Sequence, residues 1–249
     1  ISSTPLSKLS ALLSSCIAVF FALAGPMPAA EILVAAAADV ARLEQPLREG
    51  FRKAAGGQVR FVFGSSGMLA RQIENGAPYD VYLSANDRFV VDLAAHGKLD
   101  PKSVRMYALG RVALWSKNRS IGKLSDLGSV RRLSLPNPAH APYGVAARQA
   151  LEKEGTWKSL EARIVYAENV RQALQFAESG NVDAAITAWS LVFDCGGILI
   201  PAGLHAPIRQ AAGVLASSSN RGLALSFLDY LSSPGGRALL SRYGLFVDF

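Results

Sequence analysis

Gln58-Val59-Arg60-Phe61-Val62-Phe63-Gly64-Ser65-Ser66-Gly67-Met68-Leu69-Ala70-Arg71-Gln72-Ile73-Glu74-Asn75-Gly76 is the stretch whose reading decides the fold. Residues 58–63 alternate and are rich in β-branched and aromatic side chains, which predicts a strand. Gly64-Ser65-Ser66-Gly67 turns the chain, and residues 68–75 read as a helix with Gly76 as its stop. A strand that feeds a helix through a loop of small residues is the building unit of a parallel α/β sheet.

The same unit recurs on either side. Residues 31–36 form a short apolar run, expected as a buried first strand. Leu43, Leu47 and Phe51 mark one face of a helix over 40–55, closed by Gly56-Gly57. Residues 80–84 read as a third strand and 88–96 as a third helix. Beyond them, 107–115, 132–135 and 183–187 are strand candidates, and 145–153, 170–179, 222–231 and 235–243 helix candidates. The expected organisation is two α/β units. Residues 31–110 make the first, 111–205 the second, and 206–249 return to the first, with crossings near Gly110-Arg111 and His205-Ala206-Pro207.

Residues 1–30 are expected to be a cleavable export signal. Lys8 is their only charge, residues 9–24 are apolar, and small residues follow at Ala24 and Ala29-Ala30 where a peptidase would cut. The apolar run is shorter than the roughly 20 residues a membrane-spanning helix needs. The full 249-residue chain is half hydrophobic and carries a net charge of +7, or +6 without Lys8. Its basic residues occur in ones and twos, without the stripe that nucleic acid would require. Loss of the leader removes Cys16 and leaves Cys195 alone, expected as a buried, inert thiol. His96, His140 and His205 are too scattered for a metal site.

Four strand-to-helix loops carry the candidate chemistry. They are Ala36-Ala37-Ala38-Asp39, Gly64-Ser65-Ser66-Gly67, the proline-stiffened loop from Pro136 to Gly144, and Ala167-Glu168-Asn169-Val170. Small residues let backbone N–H groups approach a ligand, and a helix N-terminus adds unpaired donors and about half a positive charge. Each loop taken singly reads equally as a helix cap. Together they suggest a seat for a small anion built of neutral donors. No nucleophile elbow, paired carboxylates or dinucleotide fingerprint is present, and His140 has no nucleophile placed beside it, so an enzyme is the weaker reading.

Several of these segments are similar to the molybdate-binding proteins of ABC importers. They are Gly64-Ser65-Ser66-Gly67, the run from Leu69 to Ala85, Asn137-Pro138-Ala139-His140-Ala141-Pro142-Tyr143-Gly144, Glu168-Asn169-Val170 and Arg242-Tyr243-Gly244. The resemblance covers essentially all of 31–249. It implies a type II periplasmic-binding-protein fold, two α/β lobes with a ligand cleft between them, in a monomer that delivers molybdate or tungstate to a membrane permease. Neither a cofactor nor a bare metal cation is implied. Carried over by position, the ligand serine of the second loop falls at Ser66, beside Ser65, and the backbone donors at Tyr143 and Val170. Two positions depart from the family pattern: the first serine falls at Asp39, next to Ala38, and a ligand tyrosine falls at Ala188, next to Trp189. An ionised Asp39 would repel a dianion. The expectation is that it caps the following helix and faces away, with Tyr143 or Ser190 making up for the missing tyrosine. A binding protein or sensor for sulfate, phosphate or a small carboxylate is the alternative.

Overall fold

The computed structural model describes residues 30–118 and 120–248; the leader expected over 1–30 lies outside the described residues except for Ala30. Two five-stranded sheets organise the chain. The first contains β1 (Glu31–Ala37), β2 (Gln58–Gly64), β3 (Val81–Ser84), β4 (Arg105–Gly110) and a late strand, β10 (Ile208–Val214), in the order β2-β1-β3-β10-β4. The second contains β5 (Val112–Trp115), β6 (Leu133–Pro136), β7 (Ile164–Ala167), β8 (Ala184–Ala188) and β9 (Ile198–Leu199), in the order β7-β6-β8-β5-β9.

The sheets are mixed, where the sequence suggested parallel ones. β1 runs parallel to β2 and β3, but β10 runs antiparallel to both β3 and β4. In the second sheet β6 is parallel to β7 and β8, while β5 is antiparallel to β8 and β9. The continuous strand expected over 107–115 is two strands in different sheets, broken at Arg111. β10 carries β-branched residues only at its two ends, Ile208 and Val214, with Arg209, Gln210 and small residues between them, so local propensity gives it little signal.

Helices cover the sheet faces. α1 (Glu44–Ala55) lays Leu47 and Phe51 on the first sheet, where Phe51 meets the edge of Phe227 at 5.2 Å. Full burial of each such ring is worth about 2–3 kcal/mol. Gly56, at φ 70°, ends α1 in the left-handed conformation that glycine adopts without cost. α2 (Ser66–Glu74) and α3 (Asp87–Ala95) follow β2 and β3. In the second unit α4 (Pro142–Lys153), a short α5 (Trp157–Leu160), α6 (Val170–Glu178) and a one-turn α7 (Trp189–Val192) pack around the sheet. α8 (Arg221–Ser232) and α9 (Pro234–Arg242) return to the first sheet. Asp80 ties this return in place, accepting from the Leu33 amide at 2.7 Å and from the Ser218 hydroxyl at 2.6 Å.

The four loops singled out above leave the C-terminal ends of β1, β2, β6 and β7. Ligands in open α/β sheets bind at such ends. Here the ends of both sheets face one another.

Candidate anion seat between the two sheets

The loops close on a small cavity lined by Ala37-Ala38-Asp39, Gly64-Ser65-Ser66, Ala85, Ala141-Pro142-Tyr143 and Asn169-Val170. It holds about 210 Å³ of space. A seat of that size suits a small inorganic or organic anion and is too small for a peptide or nucleotide. Lysine, arginine and histidine are absent from its lining. Among the described residues no cluster of His, Cys, Asp or Glu could hold a metal ion.

The N–H groups of Ser66, Tyr143 and Val170 sit in the first turns of α2, α4 and α6, where a helix leaves its donors without an intrahelical acceptor. Asn169 caps α6 by accepting from the Arg171 and Gln172 amides, and Thr187 Oγ1 donates to the Val170 carbonyl at 2.7 Å. Ser66 is fixed from behind. Its hydroxyl accepts from the Ala85 amide at 2.9 Å, and its carbonyl accepts from Tyr82 Oη at 2.7 Å. A hydroxyl that already accepts keeps its own proton to donate.

Contacts across the cleft show the two sheets drawn together. Ser65 Oγ and His140 Nδ1 share a hydrogen bond at 2.8 Å, and the Gly67 amide donates to the His140 carbonyl at 2.9 Å. A Cβ on Gly67 would come within 2.8 Å of that carbonyl oxygen, so only glycine permits this approach. Arg42 adds a forked pair to Asp194 at 2.5 and 2.8 Å and lies over the Phe193 ring. His140, beside which the sequence placed no nucleophile, thus has the Ser65 hydroxyl as its partner across the cleft.

Asp39 does not cap a helix, as the sequence reading expected. It lies inside a 3₁₀ turn, Ala38–Leu43, whose N-cap Ala37 has no side-chain cap, and it is fully buried. Its Oδ2 accepts from Tyr143 Oη at 3.0 Å and from Gln210 Nε2 at 2.5 Å, while Gln210 Nε2 also donates to Tyr143 Oη at 3.1 Å. Ser190 Oγ donates to the Asp39 backbone carbonyl at 2.7 Å. Asp39 Oδ1 is buried without a partner. Burial pushes the carboxyl up to about 6 despite the two donors. The Tyr143 and Tyr107 hydroxyls are raised well above their ordinary value, first by burial and then by Asp39 nearby.

Six of the seven positions singled out from sequence, Ala38, Asp39, Ser65, Ser66, Tyr143 and Val170, line this cavity. Ala188 does not. It is fully buried at the end of β8, in the same apolar core as Tyr143 and Val170, and offers no donor. Gln210 was missed, although one signal was available: a lone amide directly ahead of the small, apolar run 211–214. Cys195, expected buried, is exposed.

The family model described as bacterial extracellular solute-binding protein matches residues 32–246. The chain belongs to the bacterial extracellular solute-binding proteins. Within this family it is 34% identical over 228 residues to the molybdate-binding protein ModA of Azotobacter vinelandii, covering 87% of this chain and 90% of the relative. To ModA of Rhodobacter capsulatus it is 30% identical over 243 residues, covering 94% and 96%. The structure of the Azotobacter vinelandii periplasmic molybdate-binding protein superposes on this solute-binding protein with a TM-score of 0.83 at 29% identity, covering 88% of this chain and all of the other.

Proposed function

We propose that this solute-binding protein captures molybdate outside the cytoplasm and hands it to the permease of an ABC importer. The observation that carries this reading is the cavity at the ends of β1, β2, β6 and β7, lined by neutral donors and helix N-termini from both sheets. A dehydrated dianion is well held by such dipoles, which need no formal positive charge. The kinship with proteins named for molybdate supports the choice among oxyanions. Tungstate, of the same shape and charge, is the expected second ligand.

The units 31–110 with 206–249, and 111–205, are proposed as lobes that open about the passages at Arg111 and His205-Ala206-Pro207. Ser66 Oγ and the amides of Ser66, Tyr143 and Val170 form the proposed seat, and Ser65 engages His140 as the lobes shut. Residues 1–30 would direct export to the periplasm, and a monomer is the expected working form. Kinship with the solute-binding proteins favours a carrier over an enzyme.

Titration calorimetry of the purified protein with molybdate, tungstate, sulfate and phosphate tests the reading. Sub-micromolar molybdate and tungstate with weak sulfate is the expected result. Preference for sulfate or phosphate, or no oxyanion binding at all, overturns it.

A further inference from the structure

Asp39 is the one acidic group lining the seat. Its carboxyl is polarised: Oδ2 accepts from Tyr143 and from Gln210, and Oδ1 is buried with no partner. An ionised carboxylate in this position would set an unpaired acceptor against an incoming dianion, the costliest arrangement a buried site offers. A proton on Oδ1 removes the charge and turns the orphan acceptor into a donor, which matches the rest of the lining. Resting on the oxyanion reading above, we propose that Asp39 serves the seat as a neutral carboxylic acid, so that anion capture takes up one proton from solvent onto Oδ1.

The surroundings favour that state. The groups that hydrogen-bond the carboxyl are Tyr143 on α4 and Gln210 on β10, while the buried, unpartnered Tyr107 hydroxyl on β4 feels its charge. The cations nearby are engaged elsewhere. Arg42, on the turn itself, is paired with Asp194, and Arg48 on α1 lies 3.6 Å from Glu44. Arg111 donates to the Ile200 carbonyl and lies over Phe246. Arg171 and Glu178 of α6 line a separate groove with Ala41 and Arg42. No cation is among the groups acting on the Asp39 carboxyl, and burial already holds it at about 6 before any anion arrives. A dianion alongside raises it further. Asp39 is thereby a specificity residue as well. It admits a fully deprotonated oxyanion only with a proton from solvent, whereas an anion carrying its own proton, such as hydrogen phosphate, would satisfy the ionised form.

The test is calorimetry of molybdate binding from about pH 5.5 to about pH 8, in buffers of differing ionisation enthalpy. The expected result is uptake approaching one proton per anion above about pH 7, with affinity falling roughly tenfold per pH unit there. In Asp39→Asn both the uptake and the pH slope vanish. Infrared difference spectroscopy of the wild type gives a second readout that needs no variant, a carboxylic-acid carbonyl band appearing on binding. Molybdate bound with no proton uptake and no pH slope overturns the proposal and leaves the function intact. Hydrogen phosphate bound more tightly than molybdate, without uptake, overturns the proposal and the choice of ligand together. No oxyanion binding at any pH overturns both.

Discussion

The two sides of the seat are built on opposite principles. On the Ser66 side the acceptors have partners in the protein, the hydroxyl oxygen accepting from Ala85 and the carbonyl from Tyr82, and what remains is a set of donors. On the Asp39 side an acid is buried with one oxygen doubly satisfied and the other unsatisfied, and Gln210 Oε1 beside it also lacks a partner. The first side is organised before a ligand arrives. The second carries an unsatisfied acceptor that a proton relieves. A binding seat can thus be donor-rich without cations, provided its acidic member is held neutral.

The difference is largest as a function of pH. Asp39 rises from 3.8 to about 6 on folding, so the native protein holds the extra proton; this stabilisation is full below about pH 4 and is lost as pH rises through about 6. That gap corresponds to at most about 3 kcal/mol. Asp39→Asn is therefore expected to gain on the wild type by up to about 3 kcal/mol between about pH 4 and about pH 7 in urea unfolding. An unchanged difference across that range would remove the contrast between the two sides.

Closure is next in size. Gly67→Val places side-chain carbon against the His140 carbonyl and holds the lobes apart. Molybdate affinity should fall on the order of 100-fold, the upper range of such couplings, and small-angle scattering should show the opened form with ligand present. Ser66→Ala removes the donor proposed for the anion and leaves the buried Ala85 amide unpaired. Roughly 10- to 30-fold weaker binding is expected by calorimetry, with little change in pH slope. The smallest effect belongs to Arg42→Ala. Its pair with Asp194 joins the lobes but is about 40% exposed, so the loss should stay below about 1 kcal/mol in thermal unfolding and shrink further in salt.

Much of the seat was legible in the chain. Gly64-Ser65-Ser66-Gly67 between an alternating strand and a helix reads as a strand-to-helix loop, and Pro142 with Tyr143 and Val170 mark helix starts in the same manner. These are local facts, set by the residue types within a few positions. Asp39 shows where local reading stops. An aspartate ahead of an apolar helical stretch reads as a cap, but the chain makes a 3₁₀ turn there and the carboxyl turns to partners 104 and 171 residues away. β10 escaped for the same reason, since an antiparallel strand joining β3 and β4 is held by pairing and not by its own propensity.

By itself the sequence determined the alternation of strands and helices, the four loops and the neutral chemistry of their donors, because periodicity, glycine and capping residues act over one or two turns of chain. Only the tertiary structure decided the mixed sheets, the meeting of Ser65 with His140, the burial of Ala188 and the partners of Asp39. Those depend on which distant segments share a low-dielectric interior, and burial there changes a carboxylate from a surface cap into a group that favours its proton.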